Sequence, residues 1–368
     1  MEILEFFGEP ISYGGQESFV VNMYKKFLLN NNFCFFTPFY ADNKELASLT
    51  EKRGDSVYSC EKVFDSKFRK LYILAAAKKA MKKQYDVIHI HSGSVLTLLM
   101  VASIAKKRGI KKIIVHSHAT GYESRSHKFV KYISDRCITQ KATYFLACSY
   151  DAGAYKFPEE VLNSDRFQII KNGIDLKNFS YNSDVRLKKR KELNIEGKKV
   201  LCHVGRFSEE KNHEFIVEVF AEYLKMEKNA FLLLIGGNGR EEQNIRMIIS
   251  QKGLSKKVRI LKNREDINEL LCAADVFIFP SRFEGLGISA IEAQANGLPT
   301  ICAAHLPGEL NASSNYIKMR LEDGPSKWAE KVYSIQDSKR KDVYNELKAS
   351  GYDVSDSAKQ LEKIYMEN

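Results

Sequence analysis

The sequence predicts an α/β protein with two parallel sheets, each built from repeated βα units, and three observations carry that prediction. Short apolar runs alternate with amphipathic helical patterns along most of the chain. The runs are largely continuous rather than alternating, as strands must be when crossover helices cover both faces of a sheet. They also fall into two series, separated by a polar, basic stretch at 184–194.

The first series has strand-like runs at 3–7, 33–37, 87–91, 113–117 and 144–149. In the second, such runs stand at 200–204, 231–235, 258–261, 276–279 and 300–303, with helical patterns such as 210–225 between them. A run at 167–170 leads into NGID at 172–175, so the boundary between two domains is expected near 172–195. A chain of 368 residues with 44% hydrophobic and 28% charged side chains has enough apolar material for two cores.

Composition also sets limits on function. No run approaches the roughly 20 apolar residues of a membrane-spanning helix, and the start MEILEFFGEP lacks the basic and apolar regions of a signal peptide, so a cytoplasmic location is expected. The seven cysteines are scattered singly, without a C-x-x-C pair, and read as reduced core residues rather than as a disulfide framework or a zinc site. Net charge is +11, and residues 51–150 hold 20 basic and 7 acidic side chains. Such an excess is either a solvated face or a surface for an anionic partner. For the second, an anionic bilayer suits best, since the segment 67–83 mixes Phe68, Leu71, Tyr72 and Leu74 with lysines at helical spacing. No nucleic-acid module accompanies the charge, and no nucleic-acid partner is expected.

Parallel sheets bind ligands at the carboxyl ends of their strands, and four loops there carry chemistry. After the first strand, Gly14 and Gly15 precede a helical pattern at 16–29. A diglycine at a helix start lets backbone amides approach a phosphate, though such a pair also serves tight turn geometry alone. After 200–204, GRFSEEKN places Arg206 and Lys211 five apart, as a clamp for a diphosphate or as surface cations balanced by Glu209 and Glu210. After 276–279 comes PSRFEGLGISAIEAQANGLP, in which Glu284 and Glu292 bracket Gly285, Leu286, Gly287 and Ile288. The amides of that turn suit an anion and the two carboxylates suit hydroxyls; the alternative is a loop acid and a helix-surface acid. The fourth loop follows 113–117 and holds His116 and His118, which alternation puts on one side. A metal site combining them with His89 or His91 finds no nearby acid in the sequence, and none is expected.

Taken together, GGQES, HSHAT, NGID, GRFSEEKN and the E-x7-E block of FEGLGISAIEAQANGLP resemble glycosyltransferase family 4, the retaining GT-B enzymes. HSHAT, ACSYDAGAYKF at 147–157 and SDSAKQLEKIY at 355–365 are most similar to bacterial capsule and exopolysaccharide enzymes. The resemblance spans nearly the whole chain in order. It implies two Rossmann-like domains facing across a cleft: an acceptor domain over 1–175, to which a C-terminal helix in 353–368 returns, and a donor-nucleotide domain over 176–352. It further implies that Arg206 and Lys211 hold the donor diphosphate, Glu292 the ribose, and Glu284 with the amides of 285–288 the sugar and phosphate. His118 would contact the donor sugar and support transfer, and Gly14 and Gly15 would close over the diphosphate.

The expected reaction is retaining transfer from a nucleotide-diphosphate sugar, UDP-linked by family, to a glycan or polyprenyl-diphosphate-linked acceptor. No D-x-D pair occurs, so the diphosphate charge falls to Arg206 and Lys211, and neither a metal nor another cofactor is expected. Two other readings share this architecture, a sugar-nucleotide epimerase and a non-catalytic sugar-nucleotide or membrane-surface binding protein.

Overall fold

The computed structural model describes residues 1–27, 31–118, 134, 136–237 and 239–367. Thirteen strands are found among them, and all pair in parallel. The chain divides into two compact units, Met1–Gly173 with Val354–Asn368, and Ile174–Asp353.

In the first unit the strands are β1 (Glu2–Phe7), β2 (Asn32–Thr37), β3 (Ser56–Ser59), β4 (Val87–His91), β5 (Lys112–Ser117), β6 (Tyr144–Ala147) and β7 (Phe167–Ile169). They lie in the order β3-β2-β1-β4-β5-β6-β7. The chain therefore starts in mid-sheet, grows to one edge and then resumes on the other side of β1, which leaves a topological switch point between β1 and β4. Helices Arg69–Ala80 and Val95–Lys107 cover one sheet face with Ile73, Ala77, Leu98 and Val101. The opposite face is covered by Gly15–Lys26 and by the C-terminal helix Val354–Met366, whose Leu361, Ile364 and Tyr365 join Phe7, Phe19 and Ile114 in one core.

The second unit repeats the plan with β8 (Lys199–Val204), β9 (Ala230–Gly236), β10 (Val258–Lys262), β11 (Val276–Phe279), β12 (Thr300–Ala303) and β13 (Tyr316–Met319), in the order β10-β9-β8-β11-β12-β13. Its switch point lies between β8 and β11. Glycines let the backbone close up at this edge. A Cβ on Gly236 would lie 2.0 Å from the Gly205 carbonyl oxygen, and one on Gly239 would lie 1.9 Å from that of Phe207. The polar stretch expected to separate the domains is itself helical at Ser183–Glu192, where Asn182 caps the first turn by accepting from the amides of Asp184 and Val185.

Candidate active site

The switch point of the second unit brings together two of the loops singled out in the sequence. β8 ends in Gly205 and Arg206, and the chain passes through a short 3-10 turn, Glu209–Lys211, to Asn212 and the helix His213–Met226. From β11 the chain runs through 280–287 into the helix Ile288–Ala295. Backbone and side-chain bonds hold the loops together. The Arg282 amide donates to the Glu210 carbonyl at 2.7 Å, Asn212 Nδ2 donates to the Pro280 carbonyl at 3.1 Å, and Ser289 Oγ donates to the Val204 carbonyl at 2.9 Å.

Within this frame Lys211 Nζ lies 2.5 Å from Glu284 Oε1, with both side chains largely out of solvent. The same ammonium stands 5.0 Å from the Phe279 ring centroid. Glu209 and Glu210 are thus not the partners of Lys211; Glu209 instead faces Arg282 at 3.5 Å. Arg206 is exposed and forms no ion pair among the described residues. One cation of the expected clamp is therefore held by an acid, and the other is free for a ligand.

Gly287 precedes the helix Ile288–Ala295 with φ +86°, and a Cβ there would sit 2.8 Å from the Phe279 ring. Glycine is required on both counts. Gly285, Leu286 and Gly287 are buried, and the Leu286 side chain is in the core, so only its backbone can serve a ligand. Glu292 stands in the second turn of this helix, half-buried, and no hydrogen bond reaches its carboxylate from the described residues. Desolvation pushes that carboxyl up to about 8.

In the first unit, Gly14 is the cap and Gly15 the first residue of Gly15–Lys26. Both lie outside the left-handed region, and a Cβ on Gly15 would meet nothing within 4 Å. Turn geometry therefore does not require glycine at 15. One turn on, Phe19 packs on the rings of His116 and His118, with centroids 4.9 and 5.2 Å apart. The glycine turn and His118 are in this way neighbours.

His118, directly after β5, belongs to a buried network whose members are scattered along the sequence. β1 stands beside β4 in the sheet, which puts Glu5, His89, His91 and His116 on one face. Glu5 Oε2 lies 2.7 Å from His91 Nε2, and His91 Nδ1 lies 2.9 Å from His118 Nε2. On the other branch, the Tyr365 hydroxyl donates to Glu5 Oε1 at 2.7 Å and lies 2.7 Å from His89 Nδ1, while His89 Nε2 lies 3.1 Å from His116 Nδ1. The expectation that no acid accompanies these histidines is corrected by Glu5. Strand order, which no local pattern reveals, places it there.

The ring nitrogens of His89, His91 and His116 come within 4.8 Å of one another. All but His116 Nε2 are engaged in the hydrogen bonds above, so the set as it stands is not an open ligand set for a metal. Burial pushes the Glu5 carboxyl up, but the adjoining imidazoles of His89 and His91 outweigh it and hold the group well below the usual carboxylate range. His91 is pushed down to about 4 by burial and by His89. Burial, then His91 and Lys156, lower His118 as well. Both rings are neutral near pH 7.

Two further charged groups mark the carboxyl edge of this sheet. Glu9 Oε1 accepts from Arg69 at 3.0 Å and Ser92 Oγ at 2.9 Å. Lys156 is fully buried, donates to the Ser92 carbonyl at 2.7 Å and is pushed down to about 8 by burial. The part of the histidine loop at 119–133 lies outside the described residues.

Residues 13–178 match the Glycosyltransferase Family 4 domain, and residues 185–348 match Glycosyl transferases group 1. EpsF of Bacillus subtilis, itself named as a glycosyltransferase, is 27% identical over 96% of this chain and 93% of its own length. The UDP-Gal:alpha-D-GlcNAc-diphosphoundecaprenol alpha-1,3-galactosyltransferase of Escherichia coli is 29% identical, covering 70% of this chain and 69% of its own. Among solved structures, Anabaena HepE in complex with UDP and glucose superposes with a TM-score of 0.77 at 18% identity, over 98% of each chain.

Proposed function

Because this chain belongs to glycosyltransferase family 4 and has the GT-B fold, we propose that it transfers a sugar from a UDP-sugar, with retention and without a metal, to a hydroxyl of a glycan or polyprenyl-diphosphate-linked acceptor in bacterial surface polysaccharide synthesis. The observation that carries the reading is the edge of the second sheet. There Arg206, a cation without an ion pair among the described residues, Lys211 paired with Glu284, and Glu292 stand on the loops and helix that meet at the topological switch point.

The chemistry follows from those groups. Arg206 and Lys211 neutralise the diphosphate and the charge that grows on its leaving oxygen. Glu292, which has lost solvent without gaining a donor among the described residues, takes the ribose hydroxyls. Glu284 and the amides of 285–288 take sugar and phosphate, and His118 takes a sugar hydroxyl. Gly15 leaves room for the diphosphate. The acceptor hydroxyl attacks the face from which the diphosphate departs, and the leaving phosphate oxygen accepts its proton. Catalysis then rests on positioning and electrostatics rather than on a covalent nucleophile.

The acceptor class draws support from the Escherichia coli relative, whose name specifies a diphosphoundecaprenol substrate. No helix among the described residues is long and apolar enough to cross a membrane. For contact with a lipid-linked acceptor, the segment around helix Arg69–Ala80 offers a surface: Phe68 and Leu71 are exposed beside Lys67, Lys70, Lys78 and Lys79. Tyr72 and Leu74 of the same segment are partly buried and contribute less.

A panel of UDP-, GDP- and ADP-sugars, each with and without a polyprenyl-diphosphate glycan, tests the reading. Product with acceptor and UDP-sugar, insensitive to EDTA, supports it. A new sugar nucleotide formed from donor alone would make the protein an epimerase, and no turnover with any pair would leave only binding.

A further inference from the structure

The buried network assigns a role to Glu5. Hydrogen-bond accounting fixes the protons along one branch. Glu5, an ionised carboxylate only 2% exposed, can accept but not donate. Its Oε1 receives the Tyr365 hydroxyl, and its Oε2 faces His91 Nε2. His91 must therefore carry its proton on Nε2, and since the ring is neutral its Nδ1 is a bare lone pair. Among the described residues the group on that lone pair is His118 Nε2, at 2.9 Å, which must be the donor. His118 is neutral too, so its Nδ1 is left bare, and that atom is buried with no hydrogen-bond partner among the described residues.

We infer that Glu5 is a positioning residue for sugar transfer, which through His91 fixes the tautomer of His118 and leaves His118 Nδ1 as an acceptor for a hydroxyl of the bound donor. The inference rests on the reading that His118 meets the donor sugar. It adds a direction to that contact, because a bare Nδ1 accepts from a hydroxyl and cannot donate to a ring or phosphate oxygen. It also gives the C-terminal helix a part in the site. Tyr365, 360 residues from Glu5 in sequence, occupies the second carboxylate oxygen, so that the carboxylate cannot turn away from His91.

The test begins with the full-length protein and 15N-labelled histidine. Long-range 15N–1H correlation reads which nitrogen of each ring is protonated, and His118→Gln identifies its signal by loss. A bare Nδ1 and a protonated Nε2 on His118 near pH 7 are expected; a protonated Nδ1 overturns the relay. This readout needs no turnover, so it stands even where the transferase reading fails.

The kinetic arm uses Glu5→Gln, whose amide can present a donor to His91 and invert the chain of protons. Expected are a proton on His118 Nδ1, a fall in kcat of about 10- to 100-fold, the cost of one misdirected hydrogen bond in the transition state, and UDP affinity within about twofold of wild type. Glu5→Asp, which keeps the acceptor, restores most of the rate. An inverted tautomer with undiminished kcat overturns the role, as does a loss of UDP affinity that accounts for the whole effect. Should Glu5→Gln fail to fold, the wild-type tautomer still decides.

Discussion

Lys211 Nζ and Glu284 Oε1, 73 residues apart, meet at 2.5 Å and tie the loop after β8 to the loop after β11. The pair is largely out of solvent, so removing Lys211 takes the neutralising ammonium away from a desolvated carboxylate. Lys211→Met is expected to lower stability by about 1–3 kcal/mol, measured by urea unfolding. Turnover should fall by about two to three orders of magnitude, the size usual for an aimed charge. Adding Glu284→Gln should return most of the stability and none of the rate. Loss of rate that recovers together with stability would reduce the pair to a structural clasp.

Arg206 provides the contrast. It is exposed and makes no ion pair among the described residues, so Arg206→Ala should leave the melting temperature unchanged within error. Its turnover should nevertheless fall by about 100- to 1,000-fold. Near-wild-type rates would remove Arg206 from the diphosphate clamp.

Glu292 makes a prediction with a sign. Its carboxyl titrates at about 8 in the folded protein, above the ordinary 4.5, because it is desolvated. A raised carboxylate favours the unfolded chain as pH climbs from the ordinary value toward the folded one. Glu292→Gln should therefore gain stability relative to wild type between about pH 5 and 8, most at the upper end. Ribose hydroxyls would favour the ionised form, so UDP should bind wild type with release of a proton near pH 7. Calorimetry in buffers of different ionisation enthalpy reads that proton, and equal heats for wild type and Glu292→Gln would count against the ribose contact.

The two glycine turns should separate cleanly. Gly287 has φ +86° and abuts Phe279, so Gly287→Ala should destabilise by about 1–3 kcal/mol. At Gly15 an added methyl meets nothing within 4 Å. Gly15→Ala should keep the stability of wild type and weaken only the donor, seen as a raised KM for UDP-sugar. Unaltered KM would leave the loop without a phosphate role.

Both series of buried apolar strands were legible in the sequence because each is a local run, and a buried parallel strand needs only its own residues to announce itself. β3 and β13 were not legible. They are four-residue edge strands, SVYS and YIKM, partly exposed and mixed in polarity, with no apolar run to find. The helix at Ser183–Glu192 shows in the sequence only as a polar, basic stretch near the domain boundary, since its lysines and arginines hide the two faces that packing distinguishes.

For the site, the same division holds. Gly14, Gly15, Arg206, Lys211, Glu284 and Glu292 could be named beforehand because they stand in loops at strand ends, and their roles followed from the resemblance of the motifs taken together. What each one touches could not. That Lys211 pairs with Glu284 rather than with Glu209 or Glu210, that the Glu292 carboxylate meets no donor among the described residues, and that Glu5 reaches His118 through His91 all depend on which strands are neighbours. Strand order is set by crossovers of tens of residues and by packing of the whole sheet. Which groups stand at the strand ends is written in the chain itself, whereas their partners follow from folding, because hydrogen bonds and ion pairs form between atoms a few ångströms apart and chain distance does not measure that.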